Sequence, residues 1–360
     1  MNTLPLSQWD LPNPQRPIVI AGPCSAESEE QMLATARGLA GSHVSVFRAG
    51  IWKPRTRPGS FEGYGSIALD WLRTVKQETG LWTATEVASP KHVYEALRTQ
   101  VDLVWIGART SANPFAVQEI ADALRGVNIP VLVKNPVNPD VDLWQGAIER
   151  LADSGLGRIG AIHRGFSSAS KSPYRNEPQW QLPIELRRRL PDVPMFCDPS
   201  HIAGNTEFIE DLVRRAMSLA YDGVMVETHC NPGVALSDAQ QQLTPEQLHN
   251  LLTHVVVPQM TSESPDFQSQ LSELRAEIDE CDRQLLELLS RRMEVAVRIG
   301  QIKKDNNIAV LQTGRWDAIV QRIHERASQY GFSTDFVDKV FTAIHQESID
   351  KQQHLILEED

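Results

Sequence analysis

The sequence lacks the features that mark membrane-spanning, secreted and disulfide-stabilised proteins. No apolar run approaches the roughly 18 residues that a membrane-spanning helix needs. The first 17 residues, MNTLPLSQWDLPNPQRP, contain no basic region followed by an apolar core, so we expect no signal peptide. The four cysteines, Cys24, Cys197, Cys230 and Cys281, are scattered without the spacing of a disulfide framework. These absences predict a cytoplasmic protein with reduced thiols.

Positive charge is also scarce. The 360 residues include 35 Lys+Arg against 46 Asp+Glu, which gives a formal net charge of -11. Such a balance disfavours nucleic acid and anionic membranes as partners. An anionic substrate must therefore bind to a local cluster of cations. The length of the chain suits two domains.

Short apolar runs alternate with amphipathic stretches through the first 232 residues. Eight such strand-helix units in about 250 residues predict an α/β fold, the parallel (β/α)8 or TIM barrel. The runs are Pro17–Ser25, Val44–Gly50, Leu81–Val87, Val101–Arg109, Pro130–Asn135, Arg158–Gly165, Pro194–His201 and Gly223–Pro232.

Reactive side chains stand at the ends of these runs. In (β/α)8 barrels the loops after the strands' C-terminal ends form the active site. Residues that merely end a strand are expected to be Asn, Asp, Ser or Gly. The residues found instead are Cys24, Arg48, Glu86, Arg109, Lys134, Arg164, His201 and Glu227. The pattern predicts an enzyme.

Sulfur, nitrogen and oxygen donors are predicted together at this rim, in Cys24, His201, Glu227 and Asp238. Taken singly, Cys24 could be a core residue and His201 could cap a turn. Together they suit a borderline divalent ion. Mn²⁺, Fe²⁺, Co²⁺ and Zn²⁺ all fit such a set of donors.

Six cations are predicted at the same end of the barrel. They would repel one another unless a polyanion lay between them. The planar fork of arginine suits phosphate and carboxylate groups. The substrates are therefore predicted to be phosphorylated, and the cations are Arg48, Lys53, Arg55, Arg109, Lys134 and Arg164.

Seven motifs over about residues 17–257 resemble, in order, those of the 3-deoxy-D-arabino-heptulosonate 7-phosphate (DAHP) synthase family: GPCS, RAGIWKPRT, IGART, VLVKN, HRG, DPSH and VETHCNPGVALSD. The resemblance implies metal-dependent condensation of phosphoenolpyruvate with erythrose 4-phosphate. The alternative is the related 3-deoxy-octulosonate 8-phosphate synthase. That relative lacks the KPRT signature, so Lys53-Pro54-Arg55-Thr56 favours DAHP synthase.

The resemblance also implies a role for each rim residue. Cys24, His201, Glu227 and Asp238 correspond to metal ligands. Arg48, Arg109, Lys134 and Arg164 correspond to the phosphoenolpyruvate clamp. Lys53, Arg55 and Thr56 correspond to contacts for erythrose 4-phosphate, and Lys53 is also the expected catalytic proton donor to the aldehyde oxygen.

The pattern changes after the barrel. Thr244–Val257 is predicted to be a closing helix that begins at an N-cap threonine. The polar segment Pro258–Pro265 has proline at both ends, as linkers often do. We therefore predict a barrel domain over residues 1–257, a linker over 258–267 and an all-α domain over 268–360. Beyond the linker, apolar residues at helical spacing predict a helix of about 35 residues and two more near Arg315–Tyr330 and Thr334–Leu355.

Some charged and polar residues of the predicted helices lie on the same helix face, and others do not. Arg292 and Lys303 differ by about 20° around the helix, whereas Arg275 lies about 100° from Arg292. A site that used all three would therefore need a second chain. Ser348 and Gln352 are four residues apart and face the same way. Without further support, such residues would be solvated surface groups.

The segment LSELRAEIDECDRQLLELLSRRMEVAVRIGQIKK, with GR at 314–315 and ESIDKQQ at 347–353, resembles the all-helical chorismate mutase family over about residues 268–356. This implies a three-helix, intertwined homodimer that rearranges chorismate to prephenate. Gln312 replaces an Asp that the family often has for the substrate's ring hydroxyl. The residues at the family's binding positions are Arg275, Arg292, Lys303, Arg315, Ser348 and Gln352, of which Arg292, Lys303 and Gln352 are the expected catalytic groups.

The interpretation is a bifunctional enzyme in which the mutase domain also regulates the synthase. Prephenate is the expected regulatory ligand, since its site would already exist in the tail. The alternative is a synthase with a non-catalytic helical sensor and dimerisation module, which the substitution at Gln312 keeps open.

Overall fold

The computed structural model of the chain describes residues 3–53, 59, 61–169, 171–259, 261–310 and 313–357, with backbone alone at 313–318 and 355–357. The chain divides into two compact units, Met1–Met260 and Thr261–Asp360. Among the described residues, the first unit holds the strands and the second is helical.

Eight parallel strands form a closed barrel in chain order. Each lies within one of the apolar runs, so the predicted barrel is confirmed. Seven of them are wholly buried, because helices cover the outer face and side chains fill the interior. The strands are β1 Ile18–Gly22, β2 Val44–Arg48, β3 Trp82–Val87, β4 Leu103–Ile106, β5 Val131–Lys134, β6 Ile159–His163, β7 Met195–Cys197 and β8 Gly223–Glu227.

Helices follow the strands through the barrel unit. Two short ones come directly after strands and carry site candidates, Arg109 on α4 and His201 on α8. The last begins at Pro245 in a capping box built by Thr244, and it ends at His254, short of the predicted Val257. The helices are α1 Glu29–Leu39, α2 Ile67–Thr79, α3 Pro90–Arg98, α4 Ala108–Ser111, α5 Pro114–Ala123, α6 Val141–Asp153, α7 Gln181–Arg189, α8 Pro199–Ala203, α9 Ile209–Ser218 and α10 Pro245–His254.

Residues ahead of β1 close the N-terminal end of the barrel. Trp9 is fully buried and belongs to the apolar cluster that fills the barrel interior. Its ring lies against Gly160 at the start of β6, and its carbonyl accepts a hydrogen bond of 3.1 Å from Arg158. The opposite rim, where the strands' C-terminal ends meet, is the rim that carries the site candidates.

A buried histidine joins β6 to two neighbouring segments. His163 Nε2 lies 2.6 Å from the carbonyl of Pro178, and Nδ1 lies 3.0 Å from the hydroxyl of Tyr221. These contacts fit a neutral ring whose Nε2–H donates and whose Nδ1 accepts. Burial is the main cause that lowers the pKa of His163 to about 4.

The helical unit contains three long helices. They are α11 Pro265–Asp305, α12 Thr313–Ala327 and α13 Thr334–Leu357. The first is 41 residues long, more than predicted, because Ser264 caps it and Pro265 occupies its first turn. Much of its apolar sequence is exposed, including Leu274, Ile278, Leu285 and Leu288. No described helix is long and apolar enough to cross a membrane.

Acid should destabilise the barrel through His163. The unfolded chain has a histidine pKa near 6.5 and the folded chain one of about 4, so the unfolded state binds more protons between these values. Stability is therefore present above pH 6.5 and is lost as the pH falls toward 4. The free energy of unfolding is measured in urea by tryptophan fluorescence at pH 7.5 and at pH 4.5. Its decrease between these two pH values should be about 2–3 kcal/mol smaller in His163→Gln than in the wild type.

The exposed His254 offers a matched control for this experiment. His254→Gln should keep the acid dependence of the wild type. An unchanged acid dependence in His163→Gln would contradict the assignment.

Candidate active sites

Three of the predicted metal ligands meet at the open rim. One ligand atom from each of Cys24, Glu227 and Asp238 lies within 4.8 Å of the others. The barrel closure brings the first two together, because β1 pairs with β8 at Gly22 and Glu227. Cys24 Sγ is 3.2 Å from Asp238 Oδ2.

The fourth predicted ligand lies beside this group. His201 Nε2 is 3.7 Å from Glu227 Oε1, and Nδ1 is 3.0 Å from Asp198 Oδ1. Burial lowers the pKa of His201, which favours the neutral ring. An imidazole whose Nδ1–H donates to a carboxylate presents Nε2 as a ligand atom, the usual arrangement of metal-binding histidines.

Burial and neighbouring charges control the protonation of the group. Burial, with added repulsion from Glu227, raises the pKa of the Cys24 thiol to about 12. Burial alone would also raise the pKa of Glu227 and of Asp238, but nearby cations outweigh it and both pKa values lie below their usual range. Two carboxylates, an imidazole and a thiol that can release its proton to a metal fit a borderline divalent ion.

Lys53 lies against the same group. Its Nζ is 2.9 Å from Cys24 Sγ and 2.8 Å from the Cys24 carbonyl oxygen. An ammonium at this position can stabilise negative charge that develops at the site and can donate a proton.

Two buried cations flank the ring of Trp105. Arg48 and Lys134 are 2% and 4% exposed, and their charged groups lie 4.8 and 5.9 Å from the ring centroid. Arg48 Nη1 is 3.2 Å from Glu227 Oε1, and Lys134 Nζ is 2.7 Å from Asp198 Oδ2. The Nε of Arg48 is buried without a hydrogen-bond partner. An unsatisfied buried donor of this kind is suited to an anionic ligand.

The other two clamp candidates come from neighbouring strand ends. Arg164 follows β6, and its Nη1 donates to Asn176 Oδ1 over 2.6 Å. Burial lowers its pKa to about 10, so it remains charged at pH 7. Arg109 is exposed on α4. Arg55 and Thr56, the remaining predicted contacts for erythrose 4-phosphate, lie outside the described residues.

A cavity of about 380 Å³ in the helical unit is lined by four predicted mutase residues, Arg292, Lys303, Ser348 and Gln352. Arg292 Nη1 donates to Ser348 Oγ over 2.5 Å, and Lys303 Nζ donates to the Val310 carbonyl over 2.5 Å. The Oε1 of Gln352 is buried and unpartnered. This amide therefore retains hydrogen-bonding capacity for a ligand in the cavity.

Arg275 is exposed on α11 and is not among the described residues that line this cavity. Gln312 lies outside the described residues. Arg315 belongs to α12, but its side chain is not described.

Sequence reasoning missed the polar residues that lie behind the ligands. Asp198 is fully buried and pairs with both Lys134 and His201. Gln241 is 1% exposed and donates to Glu227 Oε2 over 2.7 Å. The acidic residue in DPSH could have been found by asking which carboxylate neutralises a buried lysine. No such signal marks the glutamine.

The fold and site together define a (β/α)8-barrel enzyme with a candidate metal group and a cationic pocket, followed by an all-α domain. Residues 12–262 match the model of the DAHP synthetase I family, and residues 274–353 match that of chorismate mutase type II.

Known proteins resemble the barrel region. A phospho-2-dehydro-3-deoxyheptonate aldolase from Thermotoga maritima is 32% identical over 234 residues, which cover 65% of this chain and 67% of the relative. A 2-dehydro-3-deoxyphosphooctonate aldolase from Geobacter sulfurreducens is 28% identical over 256 residues, covering 66% and 90%. The crystal structure of the T. maritima aldolase, a DAHP synthase, has a TM-score of 0.60 at 30% identity and covers 66% of this chain and 67% of that chain.

The chain belongs to the DAHP synthetase I family and carries a C-terminal chorismate mutase type II domain. Both resemblances predicted from the motifs are confirmed. The protein is an enzyme that joins a transferase family to an isomerase family, and both families belong to the shikimate pathway.

Proposed function

We propose that the barrel condenses phosphoenolpyruvate with erythrose 4-phosphate in a metal-dependent reaction and that the helical domain converts chorismate to prephenate. The main support for the condensation activity is that Cys24, Glu227 and Asp238 lie close together beside two buried cations, Arg48 and Lys134. The name of the T. maritima relative supports it. Four unpaired cysteines support a cytoplasmic location, and residues 258–267 are the proposed linker.

The cations have a defined task in this chemistry. Arg48, Arg109, Lys134 and Arg164 would bind the phosphate and carboxylate of phosphoenolpyruvate, and Arg55 and Thr56 would bind the second phosphate. Lys53 would protonate the oxygen of the aldehyde as carbon three of phosphoenolpyruvate attacks it. Water then adds at carbon two and phosphate leaves with C–O cleavage. The fixed cations stabilise the developing charge without reorganisation.

The ligand set of Cys24, His201, Glu227 and Asp238 would hold one divalent ion, with Mn²⁺ as the first candidate and Fe²⁺, Co²⁺ or Zn²⁺ as alternatives. When bound, the ion supplies Lewis acidity at the aldehyde oxygen. The thiol acts as a ligand and not as a nucleophile.

Chelation should abolish the synthase activity and leave the mutase activity intact. The reason is that the candidate ligand set lies in the barrel, whereas the described residues that line the helical cavity include no carboxylate and no thiol. Both reactions are assayed on one sample before and after EDTA, then after addition of Mn²⁺. Synthase activity that survives complete removal of metal would refute the metal assignment.

Cys24→Ser should lose most metal affinity, because a hydroxyl poorly replaces a thiolate. Cys230→Ser is the matched control and should keep the metal dependence of the wild type.

The mutase activity needs few chemical groups. The rearrangement requires no covalent catalysis, so cations for two carboxylates and donors to the breaking ether bond suffice. In the cavity, Arg292 would bind a carboxylate, and Lys303 and Gln352 would donate to the ether oxygen. Arg315 and Ser348 would complete the contacts. Gln312 can still accept a hydrogen bond from the ring hydroxyl, more weakly than Asp, so we expect slower turnover without loss of binding.

We also propose a homodimer formed through α11. Its exposed apolar side chains support this proposal, since a second copy would cover them. Arg275 is exposed and lies outside the cavity lining of its own chain, so in the dimer it would serve the partner's cavity.

Mixed dimers test the shared site. Arg275→Ala and Arg292→Ala should each abolish mutase activity alone. A hybrid of the two contains one site with both wild-type arginines, so a 1:1 mixture after subunit exchange should regain about a quarter of wild-type activity. Mixing Arg275→Ala with the double variant is the control and should give no recovery. Failure of the first mixture to recover, despite proven exchange, contradicts a shared site.

The mutase domain is further proposed to regulate the synthase, with prephenate as the ligand. A coupling free energy of about 1–3 kcal/mol would change synthase activity or substrate affinity fivefold or more. Prephenate should therefore shift the synthase rate of the full chain, and Arg292→Ala should remove the response by weakening the ligand's site. Equal insensitivity in both proteins would leave the fusion without a regulatory role.

A further inference from the structure

The segment that follows β6 returns to the site as a fixed strap. The backbone amides of Arg175 and Asn176 donate to the carbonyls of Ala203 and Ile202 over 3.1 Å each. Gly204 has φ +76°, and a Cβ there would lie 2.5 Å from the Cβ of Arg175. The next residue, Glu177, pairs in antiparallel fashion with Phe166. The residues just after β6 and the helix α8 therefore hold the strap, residues 175–177, in place.

Arg175 links the two carboxylates of the candidate metal group. Its Nη1 lies 2.9 Å from Asp238 Oδ1 and 2.8 Å from Gln241 Oε1. Gln241 in turn donates to Glu227 Oε2 over 2.7 Å. Each of the two carboxylates therefore accepts one of these hydrogen bonds through one of its oxygens. The other oxygen is directed to the site, Asp238 Oδ2 at the Cys24 sulfur and Glu227 Oε1 at His201.

Asn176 makes the corresponding link on the cationic side. Its Oδ1 accepts from Arg164 Nη1 over 2.6 Å, and its Nδ2 donates to the carbonyl of His201 over 2.6 Å. Two adjacent residues of the strap therefore contact both sides of the site. Asn176 bonds to the cation Arg164 and to the backbone of His201, and Arg175 bonds to the carboxylate of Asp238.

We propose that Arg175 and Asn176 are positioning residues: Arg175, acting with Gln241, orients the two carboxylates for a divalent ion, and Asn176 orients Arg164 for the anionic substrate. The inference rests on the proposed metal and phosphoenolpyruvate sites. Hydrogen bonds to the ligands of a metal typically contribute 10–100-fold to its affinity. A hydrogen bond to a charged group contributes enough to change substrate affinity by about tenfold.

Two effects of Arg175 on metal affinity oppose each other. Its charge repels a divalent ion, whereas its hydrogen bonds fix the carboxylates. The side chain is 48% exposed, so solvent screens the charge, while both hydrogen bonds are of ordinary length. We therefore expect orientation to prevail over repulsion.

Metal affinity is measured by titrating chelator-treated full-length protein with Co²⁺ and following the thiolate charge-transfer absorption. Arg175→Gln and Gln241→Leu should each weaken Co²⁺ binding by about 10–100-fold. Arg175→Lys keeps a cationic donor and should restore most of the affinity. Asn176→Ala loses the bond to the His201 carbonyl, but Asp198 still holds the backbone amide and ring of His201, so this variant should bind Co²⁺ nearly as tightly as the wild type. Arg187→Gln, which removes another partly exposed arginine from a salt bridge with Asp222, is the matched control.

Substrate affinity is measured at saturating metal. Asn176→Ala should raise the KM for phosphoenolpyruvate about tenfold with a smaller change in kcat. Asn176→Asp restores the acceptor for Arg164 and should recover most of this loss. General destabilisation would change both Co²⁺ affinity and the KM for phosphoenolpyruvate in every variant. It therefore cannot explain a variant in which only one of the two quantities changes. Gln241→Leu tests the metal link independently if Arg175→Gln fails to fold.

The outcomes separate this inference from the proposed function. Absence of Co²⁺ binding in the wild type would overturn the metal site itself. If the wild type binds Co²⁺ and Cys24→Ser weakens it, but Arg175→Gln and Gln241→Leu bind equally well or more tightly, the positioning role of Arg175 is overturned. An unchanged KM in Asn176→Ala overturns the role of Asn176.

Discussion

The pairing of β1 with β8 is the constraint on which the barrel site depends. It joins Gly22 to Glu227, residues separated by most of the barrel sequence, and so places Cys24 beside the carboxylate at the end of β8. Ordering so long a loop costs conformational entropy that no local contact can offset. The burial of nearly all strand side chains against the interior and the outer helices provides the compensating stabilisation.

Closure also concentrates charge at one rim. Arg48 with Glu227 and Lys134 with Asp198 form ion pairs that are almost completely buried. Such pairs stabilise a fold weakly, because each ion loses its hydration on burial. Their placement around one aromatic ring, with an unsatisfied guanidinium nitrogen, is better explained by ligand binding than by stability. The paired carboxylates hold the cations in fixed positions before an anion arrives.

The sequence predicted the strands because wholly buried strands are continuous apolar runs. It also located the residues at the strand ends, since chain order alone places them on one rim. It missed Arg175, Asn176 and Gln241, which are ordinary polar residues outside the strands and α-helices of the barrel and become part of the site only through contacts with distant segments. Trp9 was also missed, because a single aromatic residue ahead of the first strand gives no periodic pattern. The end of α10 and the start of α11 were misjudged by a few residues, where capping and not periodicity sets the boundary.

In the helical domain, sequence pattern and single-chain structure differ in an informative way. The apolar spacing of α11 is that of a helix with a covered face, but along its described length only Ala296 and Gly300 are buried. Most helical stability in proteins comes from packing of the apolar face, so a 41-residue helix with this exposure needs further contacts. The same helix carries Arg292 and Lys303 into the cavity and Arg275 away from it. In the proposed dimer, a second copy that covers the apolar face would also be in a position to supply Arg275 to this cavity, so that folding of the helix and completion of the site would depend on the same contact.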